Sequence, residues 1–81
     1  MNVGTWPAGV TIELYNNGII KGYTGVRGVT GTGLYTRNAI TIDNLNGEIS
    51  SGGTEIFGIA IDGDSYITFT ALGIINGSRI N

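Results

Sequence analysis

The run TEIFGIAIDGDSYITFTAL, residues 54–72, decides how the rest of the chain is read. It divides into two apolar stretches, Thr54–Ile61 and Tyr66–Leu72, around the turn Asp62-Gly63-Asp64-Ser65. In the first, Phe57, Ile59 and Ile61 alternate with Ile56, Gly58 and Ala60. In the second, Ile67, Phe69 and Ala71 alternate with Tyr66, Thr68 and Thr70. Period-two alternation rich in β-branched and aromatic residues, bounded by turn formers, is the pattern of strands. The two stretches are expected to form a hairpin, with Thr54–Ile61 central because little on either face is charged.

The same pattern extends in both directions. Val10–Tyr15 and Ile19–Tyr23 read as a hairpin closed by the three-residue loop Asn16-Asn17-Gly18, with Leu14 against Ile20 inside and Glu13 against Lys21 outside. Thr24–Arg37 is glycine-rich, either a mobile loop or an irregular extended segment lying on another chain. Asn38–Leu45 is a strand with Ile40 and Ile42 inward and Thr41 and Asp43 outward. Asn46-Gly47 turns the chain into the short strand Glu48–Ser51, and Asn76-Gly77 turns it again near the end. Ile74, Ile75 and Ile80 would be an aggregation hazard if bare, so they are expected to be covered. No helix and no 20–50-residue period is read here. The expected fold is all-β: a small antiparallel sandwich or barrel of seven to eight short strands, residues 10–81, preceded by an extended arm, residues 1–9, and forming part of an oligomer.

Composition narrows the function. A chain of 81 residues makes one domain with a thin core. Without Cys or His it has no disulfide, no thiolate chemistry and no ordinary zinc site, which leaves oligomerisation as the route to added stability. Charged residues make up 12%, against about 25% in an average soluble domain, so part of the surface is expected to lie against partners. A net charge of −2 gives no basic footprint for nucleic acid and no polybasic membrane patch. Met1–Gly9 lacks the cationic start and apolar stretch of a signal peptide, so synthesis in a cytoplasm is expected.

Asp62-Gly63-Asp64 resembles the start of a calcium loop, but the spacing of a full loop is absent and Asp and Gly suit a turn. The glycine-rich segment lacks the strand-then-helix context of a phosphate cradle. No residue set fills the roles of an active site, so no enzyme activity and no cofactor or metal is expected. Tyr15, Tyr23, Tyr35 and Tyr66 with Trp6 could offer a sugar platform, although tyrosines also suit interfaces. Trp6, held extended by Pro7, either plugs the chain's own core or anchors in a partner's pocket. The residues expected to meet partners are Trp6, Pro7, Tyr35, Arg37, Ile75, Arg79 and Ile80.

Richness in Gly, Thr, Asn and Ile, short strands, the Trp6-Pro7 arm, low charge and the lack of Cys and His together give a texture that resembles small β-rich virion proteins of tailed bacteriophages. The resemblance covers the whole chain and rests on no single motif. It implies a non-enzymatic structural protein of the virion, foremost a capsid decoration or cement protein that bridges capsid subunits. The alternative is a tail-fibre, tail-tip or baseplate component, or a small carbohydrate-binding β-module. The implied partners are copies of itself, a trimer being favoured, and a larger assembly such as the major capsid protein, with no nucleic acid and no membrane.

Overall fold

A computed structural model describes residues 1–23, 31–52 and 58–81. Among them the chain forms nine short strands: β1 (Glu13–Tyr15), β2 (Ile19–Lys21), β3 (Leu34–Tyr35), β4 (Ile40–Asp43), β5 (Glu48–Ser50), β6 (Ile59–Asp62), β7 (Ile67–Ala71), β8 (Ile74–Asn76) and β9 (Ser78–Ile80). A single 3₁₀ turn, Asp64–Tyr66, separates β6 from β7.

Among the described residues every strand pairing is parallel. The strands sort by threes into sheets ordered β1-β4-β7, β2-β5-β8 and β3-β6-β9. Consecutive strands therefore lie on consecutive sides of one coil, and each coil stacks on the one before. The architecture is a three-coil parallel β-solenoid. Glu13 lies beside Thr41 and Thr41 beside Thr68, so each coil takes roughly 27 residues, a spacing typical of solenoid repeats.

This corrects the antiparallel sandwich or barrel of seven to eight strands. β1 and β2 do not form a hairpin: Glu13 faces Thr41 and Lys21 faces Ser50. β6 and β7 do not pair either, since β6 lies between β3 and β9, and β7 lies on β4. The absence of a solenoid period is corrected as well. The physical reason is common to all three. A solenoid sheet has one face inside and one outside, so its strands alternate as half-solvated antiparallel strands do. Alternation assigns faces and says nothing of which strand lies alongside. The part of the central run at residues 53–57, and Val26, Arg27 and Val29 of the glycine-rich segment, lie outside the described residues.

The faces read from sequence hold in β4 and β7 but not in β6, where the register shifts between Ile59 and Ile61 and Ala60 and Ile61 are both buried. In β4, Ile40 and Ile42 are buried and Thr41 and Asp43 are partly exposed; in β7, Ile67, Phe69 and Ala71 are more covered than Thr68 and Thr70. Inward residues stack in columns from coil to coil: Leu14, Ile42 and Phe69 on one side, Ile20, Ile49 and Ile75 on the second. On the third side Leu34 and Ile61 continue to Arg79, so a cation ends that column. The core is centred on the middle coil, where Ile40, Ile42, Ile49, Ala60 and Ile61 are buried together with Leu34 of the first.

The corners explain the glycines and asparagines. At the corner between the first two sides, Asn16 and Asn44 stack. Asn16 donates through Nδ2 to Asn44 Oδ1 at 2.8 Å, and Asn44 donates to the carbonyls of Leu72 at 2.8 Å and Ile74 at 3.3 Å. The column thus ties three coils together through buried amides, and no buried side-chain polar atom among the described residues lacks a partner. In the last coil this corner tightens to Leu72-Gly73. Gly73 takes a positive φ of 61°, and a Cβ there would fall 1.8 Å from the Asn44 carbonyl oxygen, so only glycine closes the corner.

Candidate functional site

The first coil places the arm. Asn2 bridges in parallel to Tyr35; Tyr35 N donates to Met1 O at 2.8 Å, and Val3 N to Tyr35 O at 3.0 Å. The arm thereby extends the β3-β6-β9 sheet by one short pairing, on the β3 side away from β6. Pro7 and the residues after it run across to the β3–β4 corner. Between arm and corner lies a groove of about 240 Å³, walled by Trp6, Pro7, Val10, Ile12, Arg37 and Asn38.

Four of the residues expected to meet partners come together here: Trp6, Pro7, Tyr35 and Arg37. The Arg37 guanidinium lies 4.6 Å from the centre of the Tyr35 ring and donates to Asp62 at 2.8 Å and to the Thr36 carbonyl at 2.9 Å. Its hydrogen bond to Asp62 raises the Arg37 pKa above its ordinary value, so the guanidinium stays cationic. Trp6 is 49% exposed and donates its indole N–H to the Val3 carbonyl at 2.8 Å. Trp6 is therefore no core plug. Its indole is tied to the arm and half exposed. Asn38 Nδ2 is likewise taken by the Gly4 carbonyl. The side-chain donors of Trp6, Arg37 and Asn38 are thus engaged within the chain.

Arg79 and Ile80 lie on the same side two coils up, and Ile75 on the neighbouring side. Arg79 Nε donates to Asp64 at 2.6 Å, and its guanidinium sits 5.0 Å from the centre of the Phe69 ring. It roofs one corner of the last coil with a neutralised charge. Ile75 is half-buried, while Ile74 and Ile80 are exposed rather than covered. The two carboxylates of Asp62-Gly63-Asp64 go separately to Arg37 and Arg79. Gly63, with a φ of 113°, donates its N–H to Ile80 O and opens the 3₁₀ turn. Among the described residues no group of three acidic side chains converges as a metal site would require.

Sequence reading missed the most exposed apolar feature. Tyr15, Ile19, Leu45, Leu72 and Ile74 gather at the corner between the first two sheets, with Ile19 70%, Leu45 67% and Ile74 54% exposed. The signal was present as a recurrence, Asn17-Gly18-Ile19, Asn46-Gly47-Glu48 and Leu72-Gly73-Ile74, which becomes visible once the coils are aligned.

The last coil is the other distinctive feature. β7, β8 and β9 are each the final strand of their sheets, so one edge of every sheet ends there. Comparison with known protein families, curated proteins and solved structures found no match.

Proposed function

We propose that the chain is a non-enzymatic structural module of a larger assembly, and that the assembly is a virion. The observation that carries the first half is the last coil. Three edge strands end on one face, around an apolar layer of Ile67, Phe69 and Ile75 that is only half covered. Unpaired strand edges above a continuing core are a template for further β-structure, and solenoids need their ends covered. The second half rests on the resemblance in texture to small phage virion proteins.

Coil stacking favours one of the two virion roles. Coils add along an axis, and among the described residues β7, β8 and β9 have no strand on their outer edges. That suits a tail-fibre, tail-tip or baseplate component, which grows axially, better than a shell decoration. The exposed Trp6 and Tyr35 beside Arg37 are then surface available to a neighbouring subunit.

The test is to probe gradient-purified particles from the producing cells with an antibody to the chain. Co-sedimentation at a handful of copies per particle is expected. Hundreds of copies would return the chain to shell decoration, and recovery as free protein at the top of the gradient would overturn the proposal.

A further inference from the structure

We infer that Asn17 is a site of covalent modification, where the side-chain amide closes on the Gly18 nitrogen and hydrolyses to aspartate and isoaspartate. The same dipeptide one coil up, Asn46-Gly47, is protected by the fold. Ile19 pairs with Glu48 and Glu48 with Ile74, which sets Asn17, Asn46 and Leu72 at one corner of successive coils, each followed by a glycine. The chemistry needs only water. The Gly18 nitrogen, losing its proton to solvent base, bonds to Asn17 Cγ, and the side-chain nitrogen leaves as ammonia. Water then opens the cyclic imide. Cleavage of the Cγ–N bond gives aspartate. Cleavage between the main-chain carbonyl carbon and the nitrogen gives isoaspartate, with one extra methylene in the main chain. No electrons are exchanged, and the sum is amide plus water to carboxylate plus ammonium. Glycine favours the first step because no Cβ shields the attacking nitrogen.

What separates the two sites is the freedom of the attacking nitrogen. To reach Cγ, the peptide plane before the glycine must rotate. At Asn46 that plane is pinned. Gly47 is buried, its N–H donates to the Asn44 carbonyl at 3.0 Å, and a Cβ there would fall 2.4 Å from both Asn16 O and Asn44 Oδ1. The buried amide column thus stands directly against this glycine. At the first coil Asn17 and Gly18 are both exposed, and no atom lies within 4 Å of where a Gly18 Cβ would be. The Gly18 N–H is held only by Asn16 Oδ1 at 3.2 Å, the long end of the hydrogen-bond range. The third Asn-Gly step, Asn76-Gly77, is restrained in another way. Asn76 ends β8, its carbonyl accepts from Ser51 N at 2.9 Å, and its Nδ2 reaches Ser50 Oγ at 3.4 Å. Local opening must precede reaction at Asn46 and Asn76, and its free energy slows both. The product alters the exposed apolar corner. Asn17 and Glu48 border the same recess of about 330 Å³, so conversion sets a second carboxylate beside Ile19, Leu45 and Ile74. Asn17 lies between β1 and β2, so no strand is interrupted.

The experiment holds the full folded chain at mildly alkaline pH and samples it over time for peptide mapping by mass spectrometry, with isoaspartate scored by an isoaspartyl O-methyltransferase. A parallel sample is kept unfolded in guanidinium chloride. In the folded chain Asn17 should convert at least about tenfold faster than Asn46 or Asn76, the ratio that an opening free energy of about 1.4 kcal/mol produces. In the unfolded chain the three sites should converge, since the Asn-Gly step is common to all. Gly18→Ala, whose added Cβ meets open space, should slow conversion of Asn17 and leave Asn46 unchanged, with circular dichroism confirming the fold. Comparable rates at Asn17 and Asn46 in the folded chain would overturn the inference. So would first conversion at Asn46 or Asn76, the same spread of rates in the unfolded chain, or an Asn17 still intact after the unfolded chain has reacted.

Discussion

Replacing Asn44 by alanine removes the middle amide of the corner column, and the structure sets the size of the effect. Asn44 is fully buried. Its side chain accepts from Asn16 at 2.8 Å and donates to the Leu72 carbonyl at 2.8 Å and the Ile74 carbonyl at 3.3 Å. Each such bond contributes about 0.5–1.5 kcal/mol net, so the loss of three is expected to cost about 1.5–4.5 kcal/mol. A domain of this length has a total stability of about 4–12 kcal/mol, so the variant forfeits a large share of it. Urea unfolding followed by circular dichroism measures the change, with Asn46→Ala at the exposed turn next to it as the control, expected within about 0.5 kcal/mol of the parent. Asn44→Asp sharpens the test. An aspartate there can still accept from Asn16 but offers no hydrogen to the two carbonyls while ionised. Burial raises its folded pKa, so the destabilisation is full at neutral pH and is relieved as pH falls through that raised value. If Asn44→Ala costs no more than Asn46→Ala, the amide column does not hold the coils together and the reasoning fails.

Other expectations follow from the same geometry. Gly73→Ala forces a positive φ, worth about 1–3 kcal/mol by itself, and drives a methyl into the Asn44 carbonyl; its thermal midpoint should fall well below that of Gly18→Ala, where no atom stands within 4 Å. Ile42→Ala, at the centre of the buried cluster, should cost about 2–5 kcal/mol in urea unfolding, whereas Ile80→Ala on the exposed last strand should cost less than about 1 kcal/mol. Native-state hydrogen exchange should find the slowest amides in β4, β5 and β6, which are paired on both sides, and faster ones in β7–β9; uniform protection across the three coils would contradict an open end. Trp6 emission should be quenched readily by iodide, since the indole is half exposed.

The sequence by itself determined that the chain is all β, which residues of β4 and β7 face inward, and that Asn-Gly and Asp-Gly steps change its direction. These are local properties. Alternation follows from the pleat, and a turn former bends the backbone whatever comes next. It also determined that Trp6, Pro7, Tyr35 and Arg37 were surface candidates, because their chemistry suits an interface. Only the tertiary structure decided the partner of each strand. Asn16-Asn17-Gly18 can reverse the chain into a hairpin or turn it onto the next side of a coil, and the choice is made by which neighbour completes the core. Here Leu14 gains Ile42 and Asn16 gains Asn44, 28 residues away, and no property of residues 10–23 alone announces either. Arg79 shows the same limit. As a residue it is a surface cation; in its column it is the continuation of Leu34 and Ile61, folded over Phe69 and fixed by Asp64. Its role is decided by long-range register, which exists only once the coils have stacked.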